Sequence, residues 1–282
     1  MADLTYDATS RYLDTDKGKL HYHVAGDGPP LLMLHGSGPG VSGWANFGAN
    51  LPAFASDFTV YLLDLPGFGK SYTPETNPMT TGPSAVLDFL DGLGLGPLPL
   101  VGNSMGGSVA ARVAAEHPER VTRLAAIGGI GLSLLSPSPP EGIKLLVEFI
   151  EDPTRDRLLK WMESMVFDTA ILTDEFVQSR WDAATDPASA AGIKRVYSRK
   201  MLAAMRSRAG AADQVALLTR IQAPTLVMFG RDDRVTPLDS ALSALRLIPR
   251  AELHVFPNCG HWAMIERKPE FESVVRAFLL RD

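Results

Sequence analysis

The sequence predicts an α/β fold with a mostly parallel central sheet and helices on both of its faces. Short, mostly apolar stretches at 30–34, 58–63 and 121–127 have the composition of strands buried in a parallel sheet. Turn residues end these stretches, and helical patterns lie between them, as crossover connections require. The chain has 282 residues, of which 45% are hydrophobic. It can therefore bury one full core and carry an insertion.

Charge and composition favour a small-molecule substrate over a macromolecular partner. The formal net charge of -5 argues against a nucleic acid or an anionic membrane surface as partner. No apolar run approaches the roughly 18 residues that a membrane span needs, and residues 1–20 are polar. The single cysteine, Cys259, excludes an intrachain disulfide. We therefore expect a cytoplasmic protein that binds neither nucleic acid nor membrane.

The first predicted strands lead to a glycine-rich loop. Residues 20–24 alternate as in a strand, and the apolar run 30–34 ends in His35-Gly36-Ser37-Gly38-Pro39-Gly40. Small residues let backbone amides approach a ligand closely. The loop is therefore predicted to form one half of an oxyanion hole, and a plain glycine loop is the alternative.

Three further patterns resemble cofactor or metal sites, but each lacks a residue that such a site requires. The Gly-Lys-Ser at 69–71 is not a phosphate loop, because the pattern requires glycine where Asp64 stands. The glycines at 92–96 precede a strand and lack the third glycine of a dinucleotide fingerprint. His21 and His23 have no third ligand nearby and are interpreted as ordinary strand residues. No nucleotide cofactor and no metal is implied.

The strongest motif is Gly102-Asn103-Ser104-Met105-Gly106. An apolar run precedes it and a helix-forming stretch, 108–115, follows it. This is the G-x-S-x-G pattern in a strand-turn-helix context, where a tight turn projects the serine hydroxyl from the sheet. The amide of Met105 is the predicted second half of the oxyanion hole. A plain turn with a capping serine is the alternative unless a base and an acid are found.

Two later strand ends offer those partners. A serine hydroxyl needs a base, and the base needs a carboxylate that fixes its tautomer. The strand-like run 223–229 leads to Gly230-Arg231-Asp232-Asp233, and the run 253–256 leads to Cys259-Gly260-His261. The order serine, acid, histidine is that of the α/β-hydrolase fold. Ser104, one of the two aspartates and His261 are therefore predicted to form a catalytic triad.

A helical insertion interrupts the predicted core. Helical patterns cover 141–151, 154–167, 173–184 and 188–208, with Thr154, Thr173 and Asp186-Pro187 as their starts. Ligands of open α/β sheets bind outside the carboxyl ends of the strands, where this insertion would lie as a lid. The predicted organisation is a first core segment at 1–132, a lid at 133–209 and a second core segment at 210–282.

Arg180 is the notable residue of the predicted lid. Val177, Trp181 and Ala184 form an apolar stripe with helical spacing, and Arg180 lies at its edge. One interpretation is that Arg180 binds a substrate carboxylate. The other is that its stem packs while the guanidinium reaches solvent or a protein carboxylate. The residues alone leave the two interpretations even.

Six stretches together resemble one family, the meta-cleavage-product hydrolases: 34–40, 43–47, 101–107, 141–144, 230–234 and 259–262. These α/β-hydrolases cleave a carbon-carbon bond in 2-hydroxy-6-oxohexa-2,4-dienoates, the ring-opened products of catechol dioxygenases. The resemblance implies association of identical chains and no cofactor. It also selects Asp233 as the acid, because the family places that residue third after the glycine, here Gly230.

The resemblance further implies roles for individual residues. At Met165 the family usually has an aromatic lid residue, which leaves the shape of the pocket for the C6 substituent open. The implied residues are the triad Ser104, Asp233 and His261, the oxyanion hole at Ser37 and Met105, and the substrate contacts Gly38, Asn46, Asn103, Met165, Arg180 and Trp262.

The expected function is hydrolysis of such a carbon-carbon bond. Ser104 and His261 would assist conversion of the dienol to its keto form, and either water or Ser104 would then add to the C6 carbonyl. A carboxylesterase or lactonase with the same triad is the alternative. A small-molecule receptor without catalysis is a third hypothesis, which the complete triad disfavours. A serine at the turn disfavours dehalogenases and epoxide hydrolases, which use an aspartate there.

Overall fold

All described strands belong to one eight-stranded sheet. The computed structural model of the protein describes residues 4–133, 135–197 and 208–281. The strand order across the sheet is β1-β2-β4-β3-β5-β6-β7-β8. The strands are β1 (Ser10–Thr15), β2 (Gly18–Ala25), β3 (Pro30–Leu34), β4 (Thr59–Leu63), β5 (Leu98–Asn103), β6 (Val121–Ile127), β7 (Thr225–Gly230) and β8 (Ala251–Phe256).

The sheet is parallel from β4 to β8, and β1 and β2 form an antiparallel hairpin at one edge. The predicted fold class, a mostly parallel α/β sheet, is confirmed. The predicted strands over 30–34 and 121–127 have the same bounds in the structure. The sequence analysis did not find β1. This strand lies at the edge and is mostly exposed, so it lacks the apolar alternation that marks a half-buried strand.

Helices connect the strands on both faces. Thr154 and Thr173 cap, through their hydroxyls, the starts of the helices Arg155–Met165 and Asp174–Thr185, as predicted. The helices are α1 (Tyr6–Thr9), α2 (Gly43–Phe47), α3 (Leu51–Phe54), α4 (Pro78–Gly92), α5 (Met105–Glu116), α6 (Glu141–Glu151), α7 (Arg155–Met165), α8 (Asp174–Thr185), α9 (Pro187–Val196), α10 (Arg208–Leu218), α11 (Asp239–Leu247), α12 (Ala263–Glu266) and α13 (Lys268–Leu279).

The predicted helix over 188–208 was wrong in its extent. Asp186 caps its start as expected, accepting hydrogen bonds from the Ala188 and Ser189 amides. However, α9 ends at Val196, and Tyr197 has extended backbone angles. The Tyr197 side chain contacts the loop after β3, and this tertiary contact outweighs helix propensity. The part of this prediction at 198–207 lies outside the described residues.

The core consists of one hydrophobic cluster on each face of the sheet. Alternate residues of a strand point to opposite faces. In β3, Leu32 and Leu34 enter one cluster, whereas Leu31 and Met33 enter the other. Side chains of α6, α7 and α8 join the second cluster. The inserted helices are therefore packed on the core, and their position is set by apolar burial.

The strand order reverses between β3 and β5. The chain passes from β3 outward to β4 on one side and returns to β5 on the other. Such a switch point opens a crevice at the carboxyl ends of the two strands, where α/β sheets bind ligands. Here β3 ends before the loop at 35–40 and β5 ends before Ser104. The topology alone thus brings the two predicted halves of the oxyanion hole together. Within the described ranges, no helix is long and apolar enough to cross a membrane.

Candidate active site

Ser104 lies on a strained turn between β5 and α5. Its φ angle is 53°, in the left-handed region that residues with a side chain rarely adopt. The amide of Ser104 donates to the Ile127 carbonyl of β6 at 2.8 Å. A Cβ on Gly102 would overlap the Gly106 carbonyl, and one on Gly106 would overlap the Leu34 carbonyl. The two glycines of the motif therefore let the backbone close tightly behind Ser104.

His261 and Asp233 form a buried hydrogen-bonded pair. The distance from His261 Nδ1 to Asp233 Oδ2 is 2.7 Å, and both side chains are 2% exposed. Asp233 also accepts the amides of Val235 and Thr236 and the Thr236 hydroxyl, at 2.7 to 2.8 Å. These contacts hold the carboxylate in place. The hydrogen bond to Nδ1 leaves Nε2 of His261 as the nitrogen that can accept a proton.

Ser104 and His261 line the same pocket. Within the described part of the chain, the Ser104 hydroxyl makes no hydrogen bond, including none to His261. Catalytic hydrogen bonds are often long without substrate and shorten in the complex. The structure thus brings Ser104, His261 and Asp233 together at three strand ends. Asp232 is instead next to Arg231, with a 3.3 Å ion pair at the surface.

The loop at 35–40 is held by buried polar side chains. His35 Nδ1 donates to the Gly36 carbonyl at 2.5 Å, and His35 Nε2 accepts the Leu65 amide at 2.9 Å. Burial lowers the pKa of His35, so the ring is neutral with its proton on Nδ1. Asn46 Oδ1 accepts both the Gly36 amide at 2.9 Å and Asn103 Nδ2 at 3.2 Å. Asn46 therefore joins this loop to the turn before Ser104.

Ser37 lines the same pocket as Ser104, and Met105 directly follows Ser104. Ser37 lines the pocket and is 3% exposed. Met105 is the first residue of α5, so its amide has no acceptor within the helix. The Met105 side chain is buried in the core and does not line the pocket. For Met105, only the backbone can serve the site.

The pocket combines strand ends with the inserted helices. All six predicted substrate contacts line it: Gly38, Asn46, Asn103, Met165, Arg180 and Trp262. Sequence reasoning missed several others, of which Leu146, Trp161 and Val235 are apolar and Tyr197 is polar. Trp161 lies four residues before Met165 on α7, so helical spacing from Met165 could have found it. Tyr197 follows a helix end and carries no comparable sequence signal.

Arg180 lies inside the pocket. The sequence analysis predicted only that it lies at the edge of an apolar stripe on its helix. It is 5% exposed, and the buried residues of α8 are Val177, Arg180 and Ala184. Burial lowers its pKa to about 10, so it is still charged at neutral pH. Its guanidinium donates to the Gly40 carbonyl at 3.2 Å and lies 5.5 Å from the centre of the Trp262 ring. In the described chain, no carboxylate pairs with it.

Other polar atoms at the pocket also lack partners. Asn103 Oδ1 and Trp161 Nε1 are buried without a hydrogen bond to any described residue. Leu146, Met165 and Val235 supply apolar side chains to the wall. The pocket therefore combines the cation of Arg180 with apolar side chains. No group of three histidine, cysteine, aspartate or glutamate side chains within the described ranges could hold a metal ion.

The inserted helices are tied to the loop that carries His261. The His261 amide donates to the Met165 carbonyl at 2.7 Å. Glu266 accepts the Gly260 amide at 2.9 Å and the Phe167 amide at 2.6 Å, thus bridging that loop and the end of α7. Burial raises the pKa of Glu266, although these amide hydrogen bonds oppose the shift.

Comparisons with known proteins place the chain in one family. The model of the α/β hydrolase family matches residues 31–273. The 2-hydroxy-6-oxo-6-phenylhexa-2,4-dienoate hydrolase of Burkholderia cepacia is 38% identical over 99% of each chain. A 2-hydroxy-6-oxononadienedioate/2-hydroxy-6-oxononatrienedioate hydrolase of Burkholderia vietnamiensis is 39% identical over 98% of each chain. The solved structure of a meta-cleavage product hydrolase from Pseudomonas fluorescens IP01 has a TM-score of 0.85, with 28% identity over 95% of this chain and 96% of that one.

Proposed function

The chain belongs to the α/β hydrolase family, within its meta-cleavage-product hydrolases, and from this premise we propose that it hydrolyses a carbon-carbon bond in 2-hydroxy-6-oxohexa-2,4-dienoates. One observation carries the choice of substrate class. Arg180 is a buried cation in the same pocket as Ser104 and His261, and no described carboxylate pairs with it. A buried cation without a counter-ion is costly, so the site favours an anionic substrate.

We assign the chemistry to Ser104, His261 and Asp233. Nε2 of His261 moves protons between Ser104 or water and the substrate, and Asp233 holds the ring in the required tautomer. The 2-hydroxyl of the dienol loses its proton and C5 takes one up, which gives the ketone. Water or Ser104 then adds to the C6 carbonyl. The C5–C6 bond breaks, and its electron pair passes through the C3–C4 double bond to the C2 oxygen, which takes up a proton. The products are a 2-hydroxypentadienoate and a carboxylic acid, the latter released by hydrolysis of the acyl-enzyme if Ser104 is the group that adds.

The amides of Ser37 and Met105 are the proposed donors to the oxyanion that forms at C6. This role is supported by Ser37 lining the pocket with Ser104, by the first-turn amide of Met105, which has no acceptor within its helix, and by the side chains that hold the loop at 35–40. Preorganised donors of this kind stabilise charge that develops only in the transition state. Because the donors are backbone groups, the side chain at 105 is free to pack in the core.

The cation and the apolar side chains of the pocket suggest the orientation of the substrate. Arg180 and Asn103 would hold the carboxylate end, with the Trp262 ring beside Arg180. Gly38 and Asn46 would line the dienoate, and the apolar wall at Leu146, Met165 and Val235 would face the C6 substituent. We propose that residues 133–209 form a lid between core segments 1–132 and 210–282, because α6 to α8 supply part of this lining and would exclude water. A cytoplasmic location and association of identical chains are part of the same proposal, the former supported by the lack of a cysteine pair.

The test compares a dienoate with a neutral aryl ester. Meta-cleavage products are coloured, so we expect rapid bleaching when purified protein is mixed with several of them. Arg180→Gln should lower kcat/KM for the dienoate roughly 30-fold to several thousand-fold, from a loss on the order of 2–5 kcal/mol. The same variant should barely change ester hydrolysis, because the ester has no carboxylate.

Arg157→Gln is the matched control, since Arg157 also lies on an inserted helix but pairs with Asp152 at the surface. It should leave both substrates unaffected. Ester turnover without bleaching of any dienoate would favour the carboxylesterase or lactonase alternative. Equal losses of Arg180→Gln on both substrates would make Arg180 a structural residue.

A further inference from the structure

Tyr197 is a pocket residue to which no role has yet been assigned. It directly follows α9, and its amide still donates to the Ile193 carbonyl at 3.0 Å. Its ring packs against the hydrophobic clusters on both faces of the sheet. Its hydroxyl lies 2.7 Å from Ser37 Oγ, and both residues line the pocket beside Ser104. One side chain of the inserted segment thus reaches the glycine-rich loop of the core.

The direction of this hydrogen bond follows from acidity. A phenol is much more acidic than the alcohol of serine, so it is the better donor and the poorer acceptor. Burial raises the pKa of Tyr197, although its hydrogen bond to Ser37 opposes the shift, and the hydroxyl keeps its proton at neutral pH. Tyr197 therefore donates to Ser37 Oγ. The hydrogen of Ser37 is then free to point to a third group.

We propose that Tyr197 is a positioning residue for the oxyanion hole. By donating to Ser37 Oγ, it holds Ser37 beside Ser104 and leaves the Ser37 hydroxyl to donate into the pocket. Tyr197 acts through Ser37 and not on the substrate itself. The hydrogen bond between Tyr197 and Ser37 can form only when the inserted segment is packed on the core. Closure of the pocket is therefore coupled to the placement of the oxyanion-hole donors.

The inference rests on the proposed role of Ser37 in the oxyanion hole, but it does not depend on the choice of substrate. Hydrolysis of an aryl ester passes through a tetrahedral oxyanion, as does attack on the C6 ketone. The test can therefore use either substrate. Failure on the dienoate alone would count against the proposed function, whereas the behaviour of Tyr197 on the ester would still be measured.

The test is a double-mutant cycle of Tyr197→Phe and Ser37→Ala. Phenylalanine keeps the ring and its packing and removes only the hydroxyl. A hydrogen bond contributes about 0.5–1.5 kcal/mol net, so we expect Tyr197→Phe to lower kcat roughly 2- to 13-fold with KM changed less than about twofold. Because the two groups act as one unit, the double variant should be no slower than the slower single variant.

Tyr72→Phe is the matched control, because Tyr72 is a half-buried tyrosine that does not line the pocket. It should leave kcat and KM unchanged, and all variants should unfold at the temperature of the parent within a few degrees. Three results would overturn the inference: an unchanged kcat in Tyr197→Phe, losses that multiply in the double variant, or an effect confined to KM. A parent protein that turns over neither substrate would remove this inference together with the proposed function.

Discussion

The described part of the chain contains two buried histidine–aspartate pairs, and only one of them lies in the candidate active site. The distance from Nδ1 to the carboxylate is 2.7 Å in both His261–Asp233 and His21–Asp64. All four side chains are at most 2% exposed. Distance and burial, which are often used to find catalytic pairs, therefore do not separate the two.

The second ring nitrogen does separate them. Nε2 of His21 is hydrogen bonded to the Ser10 hydroxyl at 2.8 Å, so both nitrogens of this ring are occupied by protein. His261 lies in the wall of a pocket that also contains Ser104, and its Nε2 is available there. A histidine–aspartate pair can act as a base only if one nitrogen is left for a substrate or a nucleophile.

The two aspartates also do different work. Asp64 accepts the Gly43 amide at 2.7 Å and the Lys70 amide at 3.0 Å, and thereby joins β2, the end of β4 and the start of α2. Burial acts to raise the pKa of Asp64, but hydrogen bonds led by that from His21 outweigh it, and the net shift is downward. Asp64 thus ties backbone segments together, whereas Asp233 orients one imidazole.

The largest expected effect is the loss of kcat when Ser104 or His261 in the pocket is substituted. Ser104→Ala and His261→Ala should each lower kcat by at least about 1000-fold, and the double variant should lose little more, because the groups act as a unit. Thermal unfolding should change little. His21→Gln serves as the counterpart: it should lower the unfolding temperature while the folded protein keeps its kcat. Additive losses in the Ser104 and His261 double variant would contradict the shared role.

Exchanging each aspartate for asparagine should separate activity from stability. Asp233→Asn should lower kcat on the order of 100- to 10,000-fold, because the ring loses its tautomer. Asp64→Asn should lower the free energy of unfolding by about 3–5 kcal/mol, as for other buried pairs that lose one partner. Kinetics and denaturant unfolding measure the two effects. Asp232→Asn is the control for the choice of the acid. If Asp232→Asn lost activity while Asp233→Asn kept it, the acid of the triad would be Asp232.

The smallest expected effect concerns His23, which neighbours the His21–Asp64 pair. His23 is buried, its Nδ1 is 2.9 Å from the Thr9 hydroxyl, and its pKa is lowered to about 4 by burial, with His21 and Lys70 adding to the shift and Asp64 opposing it. Between pH 6.5 and about 4 the unfolded chain binds a proton at His23 and the folded protein does not. The free energy of unfolding should therefore fall on acidification, by up to about 1.4 kcal/mol per pH unit.

Denaturant unfolding at pH 7, 6 and 5 measures this slope. His23→Gln should reduce it, and His117→Gln is the control substitution at a histidine with 41% of its side chain exposed. An unchanged slope in His23→Gln would show that His23 takes up its proton in the folded protein. In that case water would reach His23 and the neighbouring His21–Asp64 pair more readily than their burial indicates.

Much of the candidate site could be predicted because its residues lie in local sequence patterns. The strained turn at Ser104 needs glycines two residues before and after it, and those glycines are visible in the sequence. Strands buried on both faces are mostly apolar runs, so the ends of β5 and β7 locate Ser104 and Asp233. The edge strand β8 is only partly buried, and its apolar end at 253–256 precedes His261. The starts of α7 and α8 could be predicted for the same reason, since a threonine cap acts within three residues.

What the sequence by itself determined was therefore the class of fold, the three strand ends and the residue types that meet there. Only the tertiary structure decided which of two histidine–aspartate pairs has a free nitrogen, that Arg180 is enclosed without a carboxylate, and that Tyr197 leaves its helix to reach Ser37. Each of these depends on contacts between residues more than 100 positions apart or on side chains from several elements. Such contacts form because packing brings distant segments together, and no local spacing in the chain encodes them.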